Sequence, residues 1–168
     1  TGAPTPLSSQ TASPVARWAW AEDSQTVLFT ADAVGQAATH LFAADLATRS
    51  VRDLTPWQAV KAELLGTSAR APNEVLVTMN QRDKRFADVH RVNLKTGAVD
   101  LDTKNPGDVE AWVFDEALTV RAAVARTANG GTEVRVRDTV RLPWRTLIKA
   151  GPEEELAALG FALDGKGL

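Results

Sequence analysis

The sequence predicts an all-β chain, a partial β-propeller of about three four-stranded antiparallel blades with flanking strands. Two observations carry that reading. First, His40 to Leu54 reads H-L-F-A-A-D-L-A-T-R-S-V-R-D-L, and Asp88 to Leu101 echoes it as D-V-H-R-V-N-L-K-T-G-A-V-D-L. Asp45 with Asn93, Leu46 with Leu94, Thr48 with Thr96 and Val51 with Val99 all match 48 residues apart. Each copy is an alternating run, a Thr-Arg or Thr-Gly corner and a second extended run: a strand, a tight turn and a strand. That spacing is roughly the period of one propeller blade. Second, the period persists. Phe161-Ala162-Leu163-Asp164 echoes Trp20-Ala21-Glu22-Asp23 at 141 residues, three repeats of 47.

Residues 1–14 read as loop around Pro4, Pro6 and Pro14, with Thr5–Ser8 as the outer strand of a preceding blade, because proline is tolerated at a sheet edge. Residues 15–56 form the first blade, with strands Arg17–Trp20, Thr26–Thr30, His40–Leu46 and Val51–Thr55. Trp18 and Trp20 share a face, since strand side chains alternate. Residues 57–104 form the second, with strands Glu63–Ser68, Glu74–Asn80, Val89–Leu94 and Val99–Thr103; Leu28 and Leu76 fall in equivalent strands. Residues 105–150 form the third, with strands Glu110–Phe114, Leu118–Ala125, Thr132–Asp138 and Arg145–Ala150. Asn105-Pro106-Gly107 and Asn129-Gly130-Gly131 are its turns. Residues 151–168 start a further blade, with Leu156–Phe161 as its strand and Asp164-Gly165 as its turn. Pro56–Leu65 has helix-forming composition behind a proline. The repeat favours a turn between blades there, followed by an inner strand.

Composition narrows the function classes. The 44% hydrophobic content suits a folded chain, and 168 residues suffice for a sizeable core. Acids outnumber bases 21 to 19, so nucleic acid has no electrostatic footprint here. No run of about 18 apolar residues exists to cross a membrane as a helix, and no signal peptide is visible. Bacterial cytoplasm and periplasm are both compatible. The absence of cysteine excludes disulfides, thiolate catalysis and cysteine metal sites, and no cofactor is expected.

Propeller blades pack face to face, so about three blades leave two end flanks expected to be uncovered. If each exposed ~400 Å² of apolar surface, its burial would stabilise by ~10 kcal/mol at about 25 cal/mol per Å². Patches of that size usually mark interfaces. The expected occupant is more chain, either the rest of a longer polypeptide or a second copy.

W-A-W-A-E-D-S-Q-T-V-L-F (Trp18–Phe29), H-L-F-A-A-D-L-A-T-R-S-V-R-D-L-T-P (His40–Pro56) and N-P-G-D-V (Asn105–Val109) resemble the propeller of prolyl oligopeptidase-type (S9 family) serine peptidases. So do G-T-E-V-R-V-R-D (Gly131–Asp138) and Trp144-Arg145-Thr146-Leu147. The likeness covers nearly the whole chain from about Arg17 onward. It implies a non-catalytic segment that gates and scaffolds access to an α/β-hydrolase domain carrying the chemistry. The implied partners are the remaining blades, the hydrolase domain and peptide substrates, with neither nucleic acid nor membrane among them. Tol-type propellers share the aromatic-x-x-Asp-Gly turn, so the alternative is a Tol-like protein-binding module.

The sequence offers no catalytic residue. A nucleophile elbow needs G-x-S-x-G so that small residues admit the sharp turn; Gly66-Thr67-Ser68-Ala69-Arg70 begins correctly and fails at Arg70. His40 and His90 fall in third strands of blades, where a triad would need a serine and a carboxylate alongside. Metal sites need three or four converging ligands, which two histidines do not promise. Arg82, Lys84 and Arg85 are expected in one hairpin loop, either as solvated residues or as a basic lip touching substrate or a companion domain. A propeller glycosidase or lyase would need converging inner-strand carboxylates, for which Glu63, Glu110 and Asp115 are the candidates. Glu153-Glu154-Glu155 reads as a solvated turn between blades, since nothing here resembles the helical insertion in which dipeptidyl peptidases carry an amine-binding glutamate pair. Trp18, Trp20, Trp57, Trp112 and Trp144 are expected mostly in the core or between blades.

Overall fold

The structure is a computed structural model that describes residues 15–33, 35, 37–154, 156–158, 160–162 and 167. The expected outer strand Thr5–Ser8 and the turn Asp164-Gly165 lie outside the described residues. Those described form strands and turns without a helix. The first sheet is β1 (Arg17–Trp20), β2 (Thr26–Asp32), β3 (Thr39–Asp45) and β4 (Ser50–Asp53). The second is β5 (Ala62–Thr67), β6 (Glu74–Asp83), β7 (Phe86–Asn93) and β8 (Val99–Thr103). The third is β9 (Val109–Phe114), β10 (Val120–Arg126), β11 (Thr132–Val136) and β12 (Arg145–Ala150). Each sheet is an antiparallel meander with its strands in chain order. The three sheets are unclosed, as in a partial propeller. Pro56–Leu65 is a turn running into β5, not a helix.

The repeated corner has a common cause. Asp45 Oδ1 accepts from the Thr48 N–H at 2.8 Å, and Asn93 Oδ1 accepts from the N–H groups of Lys95 and Thr96 at 3.0 Å. Both side chains thus satisfy backbone donors that the turn leaves unpaired. The next position is left-handed in both copies, Arg49 at φ 56 and Gly97 at φ 76. Glycine takes that conformation freely, whereas arginine does so only because the hairpin imposes it.

Packing follows the period-2 alternation of the strands. Ala19, Leu28, Leu41 and Ala43 of the first sheet meet Leu64, Val75, Val77 and Met79 of the second. Leu76, flanked by Val75 and Val77, points the other way and meets Trp112, Leu118, Val120 and Ala123 of the third sheet. Leu28 and Leu76 therefore do the same job in successive sheets. Polar ties reinforce both junctions: Thr67 Oγ1 donates to Glu22 at 2.9 Å, and Arg91 donates to the Leu118 carbonyl at 2.7 Å. The buried Arg137 guanidinium donates to Thr103 Oγ1 at 2.6 Å and lies 4.3 Å over the Trp144 ring.

The two end faces differ from expectation. Leu156–Phe161 does not form a strand in its described residues. Instead Leu156, Ala158 and Phe161 lie on Val113, Ala122, Val124, Val134 and Val136, and the Arg121 guanidinium sits 4.7 Å over the Phe161 ring. The flank of the third sheet is thus partly covered by the chain itself, because these apolar residues lose water-exposed surface by lying on it. On the first sheet, Phe29 and Phe42 stack with centroids 5.3 Å apart and are buried. Trp18 and Trp20 on that side remain 63% and 49% exposed, so these two are not core residues. Trp112 is buried, Trp57 packs on the first core, and Trp144 packs on Trp112 at 6.0 Å.

The second and third sheets approach closely at their inner strands because β5 carries Gly66. A Cβ there would lie 2.7 Å from Phe114 Cε1 and closer still to Cζ. Gly66→Ala is expected to push that ring out and destabilise the chain by about 1–3 kcal/mol, the usual cost of overpacking. A thermal melt of the variant measures it.

Candidate functional site

The inner strands line an open cavity of about 780 Å³ in the wedge between the second and third sheets. A smaller one of about 440 Å³ continues it and shares Arg17, Leu65 and Trp112 with it. On β5, Ala62 and Leu64 face the first core; alternation therefore turns Lys61, Glu63 and Leu65 toward the third sheet. On β9, Glu110 and Trp112 face back across the gap. Lys84, Arg85 and Phe86 close one end from the β6–β7 hairpin, and Arg17 reaches in from β1.

Several of these charges are already engaged. Arg126 Nε donates to Glu110 Oε1 at 2.7 Å. Asp108 accepts two bonds from Arg135, at 3.0 and 2.6 Å, from outside the cavity. Lys84 Nζ donates to the Ala59 carbonyl at 2.8 Å. Arg85 pairs with Asp83 at 2.8 Å, and its hydrogen bonds hold the Asp83 carboxyl down at about 2. Among the described residues, the side chains of Arg17, Lys61 and Glu63 make no hydrogen bond or ion pair.

The basic loop expected from Arg82, Lys84 and Arg85 divides in two. Lys84 and Arg85 line the cavity, whereas Arg82 does not. It turns inward, donating to both oxygens of Asp88 at 2.7 and 2.8 Å and to the Asn105 carbonyl at 3.1 Å. Burial alone would raise the Asp88 carboxyl. The bonds from Arg82 and the Asn105 N–H outweigh it and hold the group below the usual carboxylate range. Sequence reasoning had no signal for this pair, since nothing in Q-R-D-K-R-F-A-D says which arginine points inward.

Among the described residues, neither histidine is hydrogen-bonded to a serine. His40 is buried between Asp53 Oδ2, 2.7 Å from Nδ1, and the Trp57 carbonyl, 3.1 Å from Nε2. This His–Asp pair is invisible in sequence because the β3–β4 register creates it; with Nε2 on a carbonyl, it ties a blade to the turn that follows. His90 lies with Nδ1 3.3 Å from the Asp88 carbonyl. Ser68 donates its hydroxyl to the Glu116 carbonyl and joins the second sheet to the third. Glu63 and Glu110 do share the cavity, while Asp115 lines the smaller one. Glu154 accepts from the Gly151 N–H at 2.7 Å and Glu153 is exposed; Glu155 lies outside the described residues. Among the described residues, no three or more His, Asp or Glu side chains are grouped to hold a metal ion.

His90 has a measurable pH consequence. Burial pushes its imidazole below the ordinary range, against the opposing pull of Asp88 and Asp102. The unfolded chain, with a histidine pKa near 6.5, therefore takes up the proton first. Stability is expected to fall as pH drops through about 6.5 toward the lower folded value. Thermal melts between about pH 7.5 and 5.5 should show this decline, and His90→Leu should flatten it.

Similarity to known proteins fits this geometry. No protein-family model matches the chain. Dipeptidyl aminopeptidase BIII of Pseudoxanthomonas mexicana is 30% identical over 164 residues, which is 96% of this chain and 24% of that protein. The chain is homologous to the propeller region of S9 peptidases. It spans about a quarter of the length of that relative. Among solved structures, TolB from Acinetobacter baumannii matches 84% of the chain and 34% of its own length, with a TM-score of 0.61 at 18% identity. A prolyl endopeptidase matches 81% of the chain and 19% of its own length, with a TM-score of 0.58 at 12% identity. An oligogalacturonate lyase solved with manganese matches 77% and 38%, with a TM-score of 0.57 at 13% identity. These three likenesses are of fold.

Proposed function

We propose that this chain is a non-catalytic propeller segment of a serine peptidase, gating and scaffolding access to an α/β-hydrolase active site on another part of the same polypeptide. The observation that carries the reading is the 30% identity to a dipeptidyl aminopeptidase across 96% of this chain. The inner strands give the gate a physical form, a polar cavity with Lys84 and Arg85 at one end. These two residues contact substrate or the hydrolase domain, while Arg82 holds the hairpin that presents them. The mechanism is steric: the sheets admit short peptides to the chamber and exclude folded chains. The remaining blades, or a second copy, cover Trp18 and Trp20.

The alternative is a Tol-like module that binds a protein partner, favoured by the TolB likeness in fold. Reading the gene on both sides of the segment separates the two. A frame that continues through further blades and a G-x-S-x-G elbow, with Asp and His after it, supports the peptidase gate. A frame without a hydrolase overturns it and leaves the binding module. The isolated 168-residue chain is expected to release no dipeptide from peptide substrates, and turnover would contradict the division of labour.

A further inference from the structure

We propose that the inner-strand cavity is a binding site for a single carboxylate, held by Arg17 and Lys61. Its walls carry five cations, Arg17, Lys61, Lys84, Arg85 and Arg126, against three carboxylates, Glu63, Asp108 and Glu110. Arg126 is matched to Glu110 and Arg85 to Asp83, and Asp108 is gripped by Arg135 from outside. Lys84 is tied to a backbone carbonyl. Two cations and one carboxylate remain without a partner among the described residues: Arg17, Lys61 and Glu63. Lys84 keeps its charge, since a carbonyl does not neutralise an ammonium, so Arg17, Lys61 and Lys84 stand against Glu63 and the cavity favours an anion. Glu63 repels a phosphate dianion more strongly than it repels a singly charged carboxylate.

The two cations come from different sheets, Arg17 from β1 and Lys61 from the residue before β5. Arg17 stands on a paired strand and Lys61 on an isolated bridge to Thr39, and such elements position groups more sharply than loops do. Charge-assisted bonds from a guanidinium and an ammonium to a carboxylate are about twice as strong as neutral ones. Leu65, Trp112 and Phe86 add apolar wall beside the charges, the mixture typical of small-ligand sites. Carboxylates of two sources fit this chemistry, a peptide's C-terminus and an acidic side chain. The inference deepens the gate reading, resting on it only for the supposition that peptides reach this face. It is tested on the isolated chain, so binding without a hydrolase in the gene would sink the gate and leave the site.

The test is calorimetric titration of the 168-residue chain with N-acetyl-Ala-Ala as free acid and as C-terminal amide, at about 20 and 300 mM salt. The acid is expected to bind at least about tenfold more tightly than the amide at low salt, with the gap narrowing at high salt. Arg17→Gln with Lys61→Gln should remove that preference, and Glu63→Gln should tighten the acid. Circular dichroism of each variant checks that the sheets persist. N-acetyl-aspartyl-amide assigns the source: equal binding points to acidic side chains, weaker binding to chain ends, and either supports a carboxylate site. Equal affinity for acid and amide, an unaffected double variant, tighter binding of inorganic phosphate, or no binding of the acid at about 10 mM overturns it.

Discussion

Arg82→Ala is expected to destabilise the chain by about 3 kcal/mol. Asp88 is fully buried, and Arg82 supplies two of its hydrogen bonds together with its only ion-pair partner among the described residues. Removing one partner of a buried pair costs about 3–5 kcal/mol, because the remaining charge stays desolvated and unmatched. The low end applies because the Arg82 side chain is 37% exposed, which lets water reach part of the pair. Lys84→Ala, two residues away, should move stability by no more than about 0.5 kcal/mol, as exposed positions do. The pH dependence separates a lost ion pair from a lost contact. In the wild type the folded Asp88 carboxyl lies below its unfolded value, so its contribution is present above the unfolded value and is lost as pH falls through the folded one. In the variant the Asn105 N–H is the main group left to oppose burial, the carboxyl protonates earlier, and the gap between the proteins should close toward acid pH. Urea melts at about pH 7 and 4 measure both. A gap unchanged with pH would mean that Arg82 acts through packing alone.

This contrast shows what the sequence exposes and what it hides. Strands announce themselves where alternating apolar residues are anchored between turn residues, so Arg17–Trp20, Val99–Thr103 and Arg145–Ala150 occur at the expected ends. The signal fails where a strand is polar. The second strand of the second sheet was expected to stop at Asn80 but runs to Asp83, with Asp83 pairing Phe86, because Q-R-D carries no hydrophobic alternation to extend it. The segment after Ala150 fails for the opposite reason. Its apolar residues at strand spacing are equally satisfied by lying across an exposed apolar face. The cavity was half legible: Glu63 and Glu110 read as inner-strand carboxylates, and Arg82, Lys84 and Arg85 as a basic lip, of which only the last two line it. That Arg17 joins them from β1 depends on how the sheets wedge together, which no local pattern encodes.

That wedge is held by a few side chains, and Leu76→Ala should show how independent the sheets are. Leu76 is fully buried on the face of the second sheet that meets the third, alongside Val89, Trp112, Leu118, Val120 and Ala123. Truncating such a leucine costs about 2.7–5 kcal/mol, from lost transfer energy and the cavity left behind. In a repeat architecture each unit contacts only its neighbours, so the loss falls first on one junction. The other face of the same strand, with Val75 and Val77, belongs to the core shared with the first sheet and keeps its partners. Amide protons of β10 and β11 should therefore lose most of their exchange protection, while those of β2 and β3 retain theirs under native conditions. Leu28→Ala, the equivalent change in β2, should weaken the other junction and spare β10 and β11. Uniform loss of protection in both variants would mean that the three sheets unfold as one cooperative unit. The cavity would then share its stability with the whole chain, so a gate built on it could not open by loosening one blade. Selective loss would make the third sheet the movable wall of the cavity, since Glu110, Trp112 and Arg126 leave with it while Lys61 and Glu63 stay.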